Sequence, residues 1–196
     1  MDRIWQIWQI WLSGGWVMIP LFLLAILLYA QGFQLLMYVR RTDLNRDDEM
    51  SWWEWVHTPS DAQGRVAEII RYTQSDVSSA KQIRNRFDEI RLAFVDLIDR
   101  RTRFLGTLVA AAPLLGLLGT VMGMLQTFYG ISTSGGAETA GVVAAGISEA
   151  LVTTQTGLTI ALPGLFLVMM IRRQRQNLEA RLARLESLTL SHFRFE

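Results

Sequence analysis

The chain has 196 residues, 51% of them hydrophobic, a formal net charge of +1 and no cysteine. Disulfides, zinc–thiolate sites and thiol catalysis are therefore excluded. Nucleic-acid binding has no support either, since the twelve basic residues between Arg40 and Arg103 are matched by twelve acidic ones in the same stretch.

In chain order, residues 1–15 carry Trp5, Trp8 and Trp11 among Ile4, Ile7, Ile10 and Leu12, with Trp16 directly after. Tryptophan rings favour the headgroup region, so this reads as an amphipathic segment on the outer face or an early extension of the first span. Residues 16–39 are apolar and long enough to cross ~30 Å of hydrocarbon as a helix. Arg3, balanced by Asp2, is the only basic residue before them, and Arg40 and Arg41 follow at once. The run is too long for a signal h-region and no small-residue cleavage site follows, so an uncleaved anchor is expected.

Residues 40–103 form a polar loop with helical content. Trp52, Trp53 and Trp55 either line the inner membrane face or build a small soluble core; both readings stand. Pro59, Ser60 and Gly64 mark a loop with a short helix beside it. Ile83, Phe87, Ile90, Phe94 and Leu97 recur at helical spacing. That stripe predicts a helix capped by Ser75 or Asp76, running without Pro or Gly into a second span at 104–130. A third span at 139–171 continues into a tail, 172–196, whose Leu178, Leu182, Leu185 and Leu188 form a second helical stripe. The two stripes pack within one chain or against further copies of it. His57 and His192 lie in polar segments far apart in sequence, and no metal or cofactor is expected.

Twelve of the nineteen Lys and Arg lie between Arg40 and Arg103, six between Arg172 and Arg194, and none in the turn at 127–140. The positive-inside rule then puts the N-terminus outside, the 40–103 segment and the tail in the cytoplasm, and the turn outside. The fold class expected is an all-α integral membrane protein with three transmembrane helices, two of them long and extended into the cytoplasm.

Span two presents Ala112, Gly116, Gly119, Thr120 and Gly123 along one ridge. Small residues let helices approach closely in lipid, so the ridge fits packing between spans two and three, a pore wall or a subunit interface. Pro113 and Pro163 each remove a backbone donor and free a carbonyl four residues back, at Val109 and Thr159. Span three carries one carboxylate, Glu149, in an otherwise uncharged run. A charge at that depth costs at least ~2.5 kcal/mol, and a carboxyl group taken out of water favours its protonated form. Glu149, Thr153, Thr156 and Pro163 share a face, widened by Ser148, Thr154, Gln155 and Thr159. So many hydrogen-bonding groups are expected to face protein or water, which leaves a structural hydrogen-bonded carboxyl or a proton pathway. No nucleophile–base pair accompanies the lone acid, so an enzyme is not expected.

The segments Ala112-Pro-Leu-Leu-Gly-Leu-Leu-Gly-Thr-Val-Met-Gly (112–123) and Gly146-Ile-Ser-Glu-Ala-Leu-Val-Thr-Thr-Gln-Thr-Gly-Leu (146–158) resemble the paired signatures of the MotA/TolQ/ExbB proton-channel family, most closely its ExbB branch. The resemblance is strong over about residues 100–175. It implies a homo-oligomeric ring, pentameric in this family, with spans two and three lining a cavity. An ExbD-like single-span partner bearing a proton-carrying aspartate would sit inside, coupled to a TonB-like protein. By motif position Thr120 and Thr154 match pore-facing threonines and Glu149 the span-three glutamate; Thr153 lies beside them on the pathway. Gly116, Gly119, Gly123, Pro113 and Pro163 would shape helix packing. Gln155 departs from the small apolar residue of the ExbB pattern. Four spans and a larger cytoplasmic domain in the MotA branch disfavour a flagellar stator, while a TolQ-like role in envelope maintenance and a non-conducting scaffold remain alternatives.

Overall fold

The computed structural model describes residues 14–41, 51–60, 62, 64–75, 77–133 and 139–195, with side chains to 193. The tryptophan-rich segment up to residue 13 and the candidate cap Asp76 lie outside these residues. The described residues are helical: α1 (Met18–Arg41), α2 (Ser51–His57), α3 (Gly64–Gln74), α4 (Ala80–Thr133) and α5 (Thr139–Phe195). Among them α1, α4 and α5 are long and apolar enough to cross a membrane. Both α4 and α5 run through their internal prolines, Pro113 and Pro163, without ending.

The start of α4 corrects one expectation. Ser75 does not begin it; Ser79 does. The Gln82 N–H reaches Ser79 Oγ at 3.4 Å, and the Gln82 side-chain oxygen accepts from the Ser78 N–H at 2.9 Å. This resembles a capping box, Ser-x-x-Gln, shifted by one residue on the return bond, since Gln82 accepts from Ser78 rather than from Ser79. Ser75 instead closes α3, its N–H donating to Arg71 O.

The chain divides into two compact units, Met1–Gly32 with Phe104–Val168, and Phe33–Arg103 with Met169–Glu196. The second, polar unit has a core of ordinary soluble kind. Ile83, Phe87 and Ile90 of the α4 stripe are buried, as are Leu178, Leu182 and Leu185 of the α5 stripe, while Phe94, Leu97 and Leu188 are half-buried. Val66, Ile69 and Ile70 of α3 and Trp52 and Val56 of α2 are buried with them. Each fully buried Leu, Ile or Phe contributes about 1.5–3 kcal/mol, so both stripes find cover inside one chain. Of the three neighbouring tryptophans, Trp52 is 1% exposed and Trp53 61%, while Trp55 is half-buried. One joins the core and one faces out, because a helix turns them to different sides.

Arginine–carboxylate pairs tie α4 to α5 in this unit. Arg91 donates to Glu186 at 2.5 Å and to Asp88 at 3.0 Å; Arg175 donates to Asp99 at 2.8 Å and Glu179 at 2.6 Å. Partial burial works against the charge on Arg91, yet Glu186 and Asp88 outweigh it and hold its pKa above the ordinary value. Arg86 donates to the carbonyls of Tyr72 and Ser75, and the Tyr72 hydroxyl donates to Glu89 at 2.5 Å, which fixes the end of α3 on α4.

Candidate functional site

In the apolar unit α4 and α5 run antiparallel at backbone contact. A Cβ added to Gly157 would meet Ala112 O at 2.6 Å and the Gly116 Cα at 3.2 Å. One on Gly123 would meet Gly146 O at 2.8 Å, and one on Gly119 the Thr153 side chain at 2.4 Å. The small-residue ridge of span two thus lies on a matching ridge of span three, Gly146, Ala150, Thr153 and Gly157. In lipid there is no hydrophobic drive to pair helices, and close backbone approach supplies van der Waals contact instead. Thr127 closes this seam, with its Oγ1 1.9 Å from the place of a Cβ on Gly146.

The threonines are satisfied inside the chain. Thr153 is fully buried, and its hydroxyl donates to Ala150 O at 2.9 Å and Glu149 O at 3.2 Å. Thr120 donates to Leu117 O, Thr156 to Val152 O and Thr159 to Gln155 O, all within their own helices. Thr154 differs, for its hydroxyl crosses to α4 and donates to Gly116 O at 3.3 Å. A helical threonine can bond the carbonyl three or four residues back, so Thr159 stays exposed with its donor already used. Pro163, expected on the Glu149 face, is exposed, and Pro113 is half-buried.

Glu149 is half-buried, and its carboxylate rests on the turn that leads into α1. Gly15 has φ +64°, and a Cβ there would sit 1.8 Å from Glu149 Oε1. A side chain at residue 15 would therefore be strained and would occupy the place of the carboxylate. Next to it, Val17 of the turn and Met18 and Leu21 of α1 pack with Leu115, Val152 and Ile160. Higher on α1, the Tyr29 hydroxyl donates to Ile160 O at 2.9 Å, one residue from the carbonyl that Pro163 frees.

The predicted residues therefore fall on two sides of α5. Five helical steps separate Glu149 from Thr154, about 140° around the axis. Glu149 looks at the α1 turn; Thr154 and Thr120 lie on the α4 side. Sequence reasoning missed Gly15 and Tyr29, whose roles exist only across the fold. It also missed Gly146 and Gly157 as packing positions, although the spacing of Gly146, Ala150, Thr153 and Gly157 carried the signal.

Comparison with known proteins adds the rest. Residues 62–184 match the MotA/TolQ/ExbB proton channel family. The chain is 30% identical over 180 residues to the biopolymer transport protein ExbB-like 1 of Synechocystis sp., covering 77% of this chain and 65% of that one. It is 34% identical over 100 residues to the biopolymer transport protein ExbB of Helicobacter pylori, covering 51% and 63%. It is 39% identical over 69 residues to the Tol-Pal system protein TolQ of Haemophilus influenzae, covering 35% and 30%. In each case the match spans less than two thirds of the relative.

Proposed function

Because the chain belongs to the MotA/TolQ/ExbB proton channel family and lies close to ExbB, we propose that it is a proton-channel subunit of an inner-membrane motor. In this reading several copies form a ring, pentameric as in the family, around an ExbD-like single-span partner. The motor energises a TonB-like protein for uptake across the outer membrane. The segments 16–39, 104–130 and 139–171 cross the bilayer; the distribution of Lys and Arg supports a periplasmic N-terminus, with 40–103 and 172–196 in the cytoplasm. The partner's acid is the primary proton carrier, and Glu149 relays or shapes the polar network beside it.

The observation that carries this reading is Glu149, a carboxylate kept within an apolar span and seated on Gly15. A carboxylate in hydrocarbon is retained where ions or protons move. One charge crossing ~100 mV releases about 2.3 kcal/mol, and a unit of pH difference adds about 1.4 kcal/mol, so a few protons suffice for rigid-body helix movement. Thr120 and Thr154 line the path on the α4 side; Thr153, enclosed in the chain, positions Glu149 through its backbone bond.

The test is proton flux into proteoliposomes holding chain and partner. Glu149→Gln is expected to cut flux about tenfold or more, a barrier rise of ~1.4 kcal/mol. Thr154→Val should cut it less, and Gly15→Ala should also cut it, by displacing the carboxylate. Wild-type flux in Glu149→Gln and Thr154→Val would remove both residues from the mechanism and favour a scaffold. The match to TolQ keeps an envelope-maintenance motor as the second reading. Siderophore uptake that survives deletion of the gene, with defective cell constriction, would select it.

A further inference from the structure

We propose that His57 and His192, the chain's two histidines, form a binding site for a divalent transition-metal ion of copper(II) or nickel(II) type within the polar unit. The inference is independent of the channel reading. His57 ends α2 and His192 lies in the last turns of α5, yet their ring centroids are 4.4 Å apart with planes at 59°. His57 Nδ1 is 2.7 Å from Trp53 O. A carbonyl only accepts, so Nδ1 carries the hydrogen and Nε2 keeps its lone pair. This is how metal-binding histidines are held, with the second nitrogen orienting the ring.

The two rings share a pocket of about 280 Å³ with Gln74, Thr189, Pro59 and Val77, and no Lys or Arg is among the described residues lining it. The polar groups beside the rings are partly committed. Gln74 Nε2 donates to Val56 O at 3.0 Å, which leaves its amide oxygen as an acceptor, and the Thr189 hydroxyl donates to Leu185 O. With His57 Nε2 and one His192 nitrogen turned to the same ion, metal–nitrogen bonds of about 2.1 Å and roughly 1.1 Å more to each ring centre would make centroids 4.4 Å apart subtend about 90° at it. That is the cis angle of tetragonal and octahedral ions and is narrower than tetrahedral zinc prefers. Among the described residues no cluster of three or more His, Asp or Glu gathers. Water would complete the coordination, making the ion exchangeable rather than a condition of folding. Bound, it would clamp the end of α2 to the end of α5.

The experiment uses the full chain in lipid nanodiscs, purified through a tag without histidine and titrated with copper(II). Trp53 lies 4.3 Å from the His57 ring, so a bound paramagnetic ion should quench its fluorescence. Expected are saturable quenching at micromolar copper(II), reduced in Trp53→Phe, and an electron paramagnetic resonance spectrum with two coupled nitrogens. His57→Gln and His192→Gln should each weaken binding about tenfold or more, with unfolding temperatures unchanged without metal. A wild-type spectrum lacking two-nitrogen coupling overturns the proposal without any variant. Equal copper binding by wild type and the His57→Gln/His192→Gln double variant overturns it too.

Discussion

In the polar unit α4 and α5 meet through large side chains, Phe87, Ile98, Leu182 and Leu185, and through Arg91 and Arg175 paired with carboxylates. In the apolar unit the same two helices meet through Gly116, Gly123, Gly146 and Gly157, with backbone near backbone. The difference follows from the solvent each sequence pattern suits. In water, removing apolar area drives packing, so bulky residues belong at the contact. In hydrocarbon that drive is absent, the bulky residues turn outward (Leu114, Leu118 and Leu165 are all exposed), and small ones make the contact. Truncation should therefore injure one unit and enlargement the other.

The largest effect is expected where a core leucine is shortened. Leu182→Ala, at a fully buried site, should lose about 2–5 kcal/mol, whereas Leu118→Ala should stay within about 0.5 kcal/mol in a monomer. Denaturant unfolding in nanodiscs measures both, and equal losses would break the contrast. Next comes enlargement. Gly157→Ala drives a Cβ against the Ala112 carbonyl and should cost about 1–3 kcal/mol. Gly106→Ala meets nothing within 4 Å and should gain about 0.5–1 kcal/mol from helix propensity. Opposite signs in the unfolding midpoint of these two glycine variants are the sharpest form of the comparison.

A smaller effect concerns the ion pairs. A double-mutant cycle of Arg91→Met and Glu186→Gln should give a coupling of about 1–2 kcal/mol, because both side chains are only partly exposed; additivity would make the pair decorative. Smallest of all, Thr159→Val should change stability by less than about 0.5 kcal/mol. Its exposed hydroxyl bonds its own helix, and a large loss would show that the hydroxyl has a further polar partner on that face.

Much of this was legible beforehand. The apolar runs, the two stripes and the small-residue ridge of span two depend on local periodicity, which survives in the bare chain. The family signatures lie in the same segments. Helix starts were harder, since Ser75, Asp76 and Ser79 are all competent caps and only Ser79 has Gln82 three residues on. The tryptophans split because Trp52 and Trp53 are adjacent, and composition says nothing about which of them turns inward.

Three apolar helical spans with one carboxylate inside them can be read from the residues in order, because helix periodicity and length against bilayer thickness are local properties. That Glu149 rests on Gly15, that Thr154 bonds across to Gly116 and that His57 meets His192 emerges only once the chain is folded. Those contacts join residues from distant segments, and their geometry depends on how closely whole helices approach, which small side chains set in the apolar unit and bulky ones in the polar unit.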